Sequence, residues 1–325
     1  MTGRETIYFH SPCFDGIVSA VLVWDFLRAK QGWTQPALRP VNYDLREGWL
    51  SSSLEQPCAV VDFLYHHEAD FWADHHPTTF LSDSASEDFR RRQNPSLVYD
   101  PEAQSCARLL WRHLSQTFDH RNERYRGIVD WADRIDSAQY ESVQEAILAP
   151  TSALKINIGL GLGDRDRYCE KLVHILREKP LDEVARLPEV KTRYEQAQKL
   201  IQAGLERFKK AAWIEPDGIV VFDVDSTGVI INRYAPYYWF PDSLYSAGIV
   251  RWEGGAKITA MRNPWRNFET PFLGKIFERL GGGGHQRVGS ILLPGAKARE
   301  AHALLDRVLS DIRREHKKVK SGARA

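Results

Sequence analysis

Ala73-Asp74-His75-His76-Pro77 stands just past a hydrophobic run, where a strand should end. Carboxylate and neutral imidazole in one short segment suit a borderline divalent metal such as Mn²⁺, Fe²⁺ or Zn²⁺. Two upstream segments add further ligands: His10-Ser-Pro-Cys13-Phe-Asp15-Gly16 and Val61-Asp62. Together they are enough for two ions, and a paired metal site points first to hydrolysis at phosphorus. Adjacent side chains on an extended segment diverge, so one histidine can ligate while its neighbour faces a substrate phosphate. A histidine pair alone says nothing; His66-His67 reads as loop.

Each candidate also has a plainer reading. Asp15-Gly16 begins a helix, where a carboxylate or a bound phosphate is favoured, but an N-cap would look the same. Asp62 closes Ala-Val-Val and is expected to be exposed at the sheet edge, where it could bridge two ions. Asp130, Asp133 and Asp136 recur every three residues along a helix. One is expected to ligate, with Asp133 first, and a solvated acidic face is the alternative. Gly281, Gly282, Gly283 and Gly284, followed by His285, do not suit a helix or strand interior. Their bare N–H groups could cradle a phosphate or carboxylate; a flexible linker is the alternative. Arg262, at a strand end, is a candidate phosphate clamp. Trp265, Trp239 or Tyr237 could stack a base, although core packing is the stronger reading. Gly159-Leu-Gly-Leu-Gly163 reads as a turn, and no phosphate-loop lysine motif or nucleophile elbow occurs.

The elements that must position these residues are short. Residues 5–9, 38–41, 59–63 and 71–73 read as strands, and 17–27, 105–114 and 122–131 as helices. Their alternation predicts an α/β fold with an open, mostly parallel sheet. In such sheets ligands bind beyond the carboxyl ends of the strands, and His10, Asp62 and His75 all fall there. Residues 154–210 are helical and charged, with 193–210 a long connecting helix. After a turn at Pro216-Asp217-Gly218, strands at 219–224, 256–261 and 289–293 and helices at 272–280 and 296–312 outline a smaller α/β domain. A frayed basic tail from Arg313 holds Lys317, Lys318, Lys320 and Arg324. The expected division is a metal-binding domain at 1–150, a helical connector at 151–212, a substrate-binding domain at 213–315 and a tail at 316–325.

Composition narrows the function classes. At 325 residues, two domains are expected. Lys+Arg 44 against Asp+Glu 43 leaves a net charge of +1, so an anionic substrate must be held by a local cluster rather than by bulk charge. The four cysteines (Cys13, Cys58, Cys106 and Cys169) form no CxxC pair, which disfavours a zinc knuckle or a disulfide framework. Cys58 and Cys106 read as small buried hydrophobes. No leader-like or membrane-length apolar run is found, so a cytoplasmic location and no membrane partner are expected.

In this order, the motifs resemble the DHH phosphoesterase family with its DHH-associated C-terminal domain, a superfamily of RecJ-like nucleases and oligoribonucleases. The first family motif matches His10 to Ala20, the second Val61-Asp62, the third Asp74-His75-His76, and a fourth lone aspartate falls among Asp130, Asp133 and Asp136. The resemblance implies two domains with a cleft between them and two ions, Mn²⁺ first. His10 would hold one ion; Asp15, His75 and the fourth-motif aspartate the other. Asp62 would bridge, His76 would orient the substrate phosphate, and Arg262, the glycine loop and His285 would grip its far end. One departure stands out: the first motif usually reads Asp-x-Asp-Gly, and here it is Cys13-Phe14-Asp15-Gly16. A Cys13 thiolate would shift preference toward Zn²⁺ or Fe²⁺; an inert Cys13 would leave the first ion fewer protein ligands. The implied activity is metal-dependent hydrolysis of short oligonucleotides or dinucleotides to mononucleotides. Cyclic dinucleotides, nucleoside 3′,5′-bisphosphates and pyrophosphate are alternative substrates, and a catalytically degenerate nucleotide-binding protein is a further alternative. Oligomeric state stays open, a homodimer being one option.

Overall fold

Five short runs form an all-parallel sheet in the computed structural model, which describes residues 4–92 and 94–322. They are β1 (Thr6–His10), β2 (Ala37–Val41), β3 (Cys58–Val61), β4 (Phe71–Asp74) and β5 (Leu97–Tyr99), in the order β2-β1-β3-β4-β5. β3 is buried along its whole length, which explains its unbroken apolar sequence. The direction of winding reverses between β1 and β3. That makes the gap between their carboxyl ends the topological switch point, where such sheets bind ligands.

Helix α1 (Phe14–Gln31) follows β1 and is longer at both ends than the expected 17–27. Cys13, with extended backbone, is its N-cap, so Asp15 lies inside the first turn and is not the cap. At the other end Gly32, at φ 77°, returns its N–H to the carbonyls of Arg28 and Leu27. Thirteen of its residues are buried, as expected for a helix that is apolar nearly all round. Helices α2 (Asp83–Arg92), α3 (Cys106–Phe118) and α4 (Arg126–Asp136) follow; a short 3₁₀ turn at Glu123–Tyr125 accounts for the expected start of the last at 122.

After α5 (Val143–Leu148) come α6 (Ser152–Ile158), α7 (Arg165–Glu178), α8 (Leu181–Val184) and α9 (Pro188–Ala211). The chain divides into two units. One runs to Tyr140 and includes Ala149–Glu195; the other takes Glu141–Leu148 and everything from Gln196. Much of the segment read as a connector therefore belongs to the first unit. Ala153, Ile156, Tyr168, Leu172, Val173 and Leu176 complete its core with α1. The charged faces of α6 and α7 hid this apolar stripe.

In the second unit a mixed six-stranded sheet has the order β10-β11-β9-β8-β7-β6. Its strands are β6 (Ala212–Ile214), β7 (Ile219–Asp225), β8 (Tyr245–Trp252), β9 (Gly255–Arg262), β10 (Gly283–His285) and β11 (Val288–Pro294). β8, with Ser246 and Gly248 in mid-strand, was not anticipated. Alternate residues of four strands, among them Val221, Ile249, Ile258 and Ile291, form one apolar face. That core also takes in α11 (Leu273–Glu278) and α12 (Ala301–Lys320), while α10 (Ala235–Trp239) precedes β8. α12 runs through Arg313 to Lys320, which corrects the expected fraying; a 3₁₀ turn at Gly295–Glu300 occupies its expected start. Arg324 lies outside the described residues. Among the described residues no helix is long and apolar enough to cross a membrane.

Candidate metal centre

His10 is the last residue of β1, Asp62 follows the last residue of β3, and His75 follows the last of β4. The parallel sheet brings these three ends together at the switch point. His10 Nδ1 lies 3.4 Å from Asp62 Oδ2, and His75 Nε2 lies 3.7 Å from Asp62 Oδ1. α1 approaches β1 so closely that a Cβ on Gly16 would sit 2.2 Å from the His10 carbonyl oxygen. Only glycine admits this close approach, and Cys13 stands beside His10.

Asp62 is buried at 1% exposure, not exposed at the sheet edge as expected. Its φ of 57° turns the chain sharply after β3, while its N–H still reaches the Ala73 carbonyl at 2.9 Å. A non-glycine residue held there carries strain of the kind that collects at functional sites. Neither carboxylate oxygen has a hydrogen-bond partner. Burial, then the charges of Asp15, Asp136 and Asp74, push its carboxyl well above the usual range.

Asp15 is held differently. The N–H groups of Cys106 and Ala107, at the start of α3, donate to its two oxygens at 2.7 and 2.8 Å. Ser105 caps the same helix by accepting from Arg108 N–H. The helix N-terminus thereby fixes the buried anion. Burial raises the Asp15 carboxyl, opposed by His75 and these two bonds.

His75 Nδ1 sits 3.0 Å from the Ala103 carbonyl. A carbonyl only accepts, so a proton is assigned to Nδ1, leaving Nε2 as the nitrogen that can ligate. Nε2 is buried without a hydrogen-bond partner and looks toward Asp136 at 3.3 Å, Asp62 at 3.7 Å and Asp15 at 3.8 Å. Three carboxylates facing one imidazole nitrogen call for positive charge among them, which a bound cation would supply. Metal-ligating histidines have this arrangement, the far nitrogen fixed on a backbone carbonyl.

Ligand atoms therefore gather as three overlapping sets: His10, Cys13 and Asp62; Asp62, His75 and His76; and Asp15, His75 and Asp136. Of the three acidic candidates on α4, Asp136 joins them. Asp133 instead accepts from Ser105 Oγ and Arg108 Nε, and Asp130 from Arg108 Nη2, which corrects the preference for Asp133. The orphaned nitrogens and oxygens, mixed imidazole and carboxylate, fit divalent cations.

Of two further residues at the site, the sequence marks Asp74 only as part of the Asp-His-His segment and Tyr43 not at all. Asp74 is fully buried, and one of its oxygens accepts from His75 N–H at 2.8 Å and from His76 Nδ1 at 2.7 Å. Its place at the carboxyl end of a strand was the available signal. Tyr43 packs edge-on against His10, with ring centres 5.1 Å apart; nothing in its neighbourhood of the sequence marks it. The His66-His67 pair stays in the loop between β3 and β4, with His66 Nε2 against the Ser52 carbonyl, apart from the ligand sets.

In the second unit the expected gripping residues have other tasks. Arg262 is buried, and its guanidinium donates to the carbonyls of Arg266, Phe268 and Asn263 while lying over the Phe268 ring. It ties down its own loop rather than presenting an open clamp. Gly281 and Gly282 donate their N–H groups to Glu278 and Phe277 at the end of α11. Gly283, Gly284 and His285 form the edge strand β10, so part of the run is a strand after all. His285 is exposed. Tyr237 is core, its hydroxyl donating to the Met261 carbonyl; Trp239 Nε1 donates to Leu205, and Trp265 packs edge-on against Tyr234.

No protein-family model and no curated protein sequence matches the chain. Solved structures do. The chain is similar to the pGpG-specific phosphodiesterase PggH of Vibrio cholerae over 95% of its own length and 99% of that chain, at 21% identity and a TM-score of 0.68. It is similar to RecJ of Thermus thermophilus in complex with Mn²⁺ over 96% of its own length and 52% of that chain, at 14% identity and a TM-score of 0.57. A solved DHH domain from a member of a ribosomal-protein family aligns over 95% of this chain and 86% of that one, at 14% identity and a TM-score of 0.59. At these identities the likeness is one of fold: the chain shares the α/β fold of these structures and carries Asp74, His75 and His76 where β4 ends.

Proposed function

We propose that this protein is a metal-dependent phosphodiesterase that cleaves linear dinucleotides or very short oligonucleotides to mononucleotides. The observation that carries the reading is the set of buried, unpartnered ligand atoms at the switch point, His10 Nδ1, both Asp62 oxygens and His75 Nε2. Bound cations would offset the repulsion within such a buried group. His10 and Asp62 would hold one ion and Asp15, His75 and Asp136 a second, with Asp62 shared; Cys13 stands beside the first. When bound, paired Mn²⁺-type ions supply an activated water and neutralise charge on the phosphate.

The side chains divide the remaining work. His10 is pushed down to about 4 by burial and then by the neighbouring His76 charge, so it is neutral and able to ligate. His76 differs. Burial pulls it down, but the Asp74 hydrogen bond and charge, with Asp136 and Asp15, raise it to about 9. It is therefore a cationic donor beside the ligands, suited to a phosphate oxygen. Asp74 positions it. A linear dinucleotide is preferred because the chain matches a pGpG-specific phosphodiesterase over nearly its whole length.

The test is product analysis. Protein with Mn²⁺ is offered a linear dinucleotide, a short oligonucleotide, a cyclic dinucleotide, a nucleoside 3′,5′-bisphosphate and pyrophosphate. Mononucleotide from the first two supports the reading. Phosphate from pyrophosphate alone, or no turnover with any divalent ion, overturns it.

A further inference from the structure

The two halves of the candidate centre are chemically unequal. Asp15, His75 and Asp136 gather as one set of ligand atoms; His10, Cys13 and Asp62 gather as another. We propose that the His10–Cys13–Asp62 position is a thiolate-ligated site for a thiophilic divalent ion, Zn²⁺ or Fe²⁺, so that the centre is asymmetric rather than a matched Mn²⁺ pair. This rests on the metal-dependent reading above and names the metal class of one of its positions.

Three observations meet here. The Cys13 sulfur, a His10 nitrogen and an Asp62 oxygen lie within 4.8 Å of one another, close enough for one ion to span. His10 Nδ1 and Asp62 Oδ2 lie 3.4 Å apart, both buried without hydrogen-bond partners, and Asp62 is 1% exposed, so the position already holds unpaired ligand atoms. Cys13 is the N-cap of the 18-residue α1 and makes no side-chain capping bond, which leaves its sulfur uncommitted there; burial and the charges of Asp62, Asp136 and Asp15 raise its thiol, so the thiolate would form together with the bound cation. A site with one imidazole, one thiolate and one shared carboxylate is softer than its neighbour with two further carboxylates. Thiolate selects Zn²⁺, Fe²⁺ and Co²⁺ over Mn²⁺ and Mg²⁺. The other cysteine close to these carboxylates, Cys106, is fully buried and directs its thiol to the Ala73 carbonyl at 3.3 Å.

Cobalt reports the ligand directly. The metal-free full-length protein is titrated with Co²⁺, with absorbance recorded and bound ions counted by dialysis and elemental analysis. The expected result is a near-ultraviolet sulfur-to-cobalt charge-transfer band that grows with bound ion and is lost in Cys13→Ser. A band that persists in Cys13→Ser assigns the sulfur to Cys106 and overturns the proposal, as does cobalt bound to the wild type with no band. No bound cobalt at all overturns the metal-centre reading itself, so the two failures are distinct. Cys13→Asp gives a second measurement, competition between Zn²⁺ and Mn²⁺ for the metal-free protein. The Zn²⁺ preference should fall by about tenfold or more, since even partners outside the ligand shell change metal affinity by 10–100-fold. An unchanged preference overturns the proposal.

Discussion

Asp74 Oδ1 accepts a 2.7 Å hydrogen bond from Nδ1 of His76, two residues further along the chain. The contact gives His76 the opposite charge preference from His10, although the two rings are centred only 6.2 Å apart. The His76 pKa of about 9 lies above its ordinary 6.5. A pKa raised in the folded state contributes stability that is complete below the unfolded value and is lost as pH rises through the folded one. The contribution is therefore full below about 6.5 and disappears through about 9. Histidine ring NMR on the metal-free protein should show one imidazole titrating near 9. In Asp74→Asn that resonance should move to 6.5 or below, because burial then acts with less opposition. A wild-type protein in which every histidine titrates near 6.5 would sink this account.

Asp62→Asn should separate function from stability. Asparagine tolerates the left-handed backbone at this position and keeps the shape of the side chain. It also removes one member of a buried group of carboxylates that repel one another. Turnover should fall below detection, while the metal-free protein becomes more stable by about 1–2 kcal/mol, the scale of an unsatisfied buried polar group. Chemical denaturation and a product assay on the same preparation decide it. Near-normal turnover would remove Asp62 as a shared ligand.

On α4, two aspartates one turn apart should respond in opposite ways. Asp136 faces His75 Nε2 at 3.3 Å, and Asp136→Ala should lower metal affinity at least about tenfold with little change in fold stability. Asp133 instead bonds Ser105 and Arg108, so Asp133→Ala should cost about 1–2 kcal/mol of stability and leave metal affinity alone. Calorimetric metal titration beside thermal unfolding separates them, and the reverse pattern would restore Asp133 as the ligand.

Legibility differed between the two halves of the chain for physical reasons. His10, Asp62 and His75 could be placed from sequence because a parallel sheet puts successive strand ends on one edge, whatever its helices do. Asp136 could not be separated from Asp133, because residues three apart on a helix differ by only about 60° of rotation and the partner that decides, Arg108, lies on another helix. The burial of Asp62 was missed because an aspartate after an apolar run reads as a solvated strand end, and its left-handed backbone leaves no trace in composition. The glycine run was misread in part because a rule against glycine in strand interiors says little about a short edge strand. Arg262 reads the same from sequence whether its partner is a phosphate or its own loop.

Arg262→Lys tests that last point. Lysine keeps the charge but cannot reach the three carbonyls with a planar fork. Because Arg262 is buried, the expected loss is about 2 kcal/mol of stability, within the range for hydrogen bonds from a charged group. KM for a dinucleotide should stay within about twofold, a difference well under 1 kcal/mol. A large rise in KM with unchanged stability would make Arg262 the phosphate clamp after all.

Within the glycine run, two neighbours discriminate packing from ligand cradling. A Cβ on Gly284 would meet the Val288 carbonyl oxygen at 2.2 Å, and its φ of 152° disfavours any side chain. A Cβ on Gly283 would meet nothing within 4 Å. If the run exists to let β10 close on β11, Gly284→Ala should cost about 2–3 kcal/mol, as overpacking does, while Gly283→Ala stays within about 1 kcal/mol. Both variants should retain turnover wherever they remain folded. If the run instead cradles a phosphate, Gly283→Ala would obstruct the approach of the ligand without touching the fold. A stable Gly283→Ala protein with KM raised tenfold would therefore favour the cradle over the packing argument, and unchanged kinetics would leave backbone closeness as the reason for glycine at these positions.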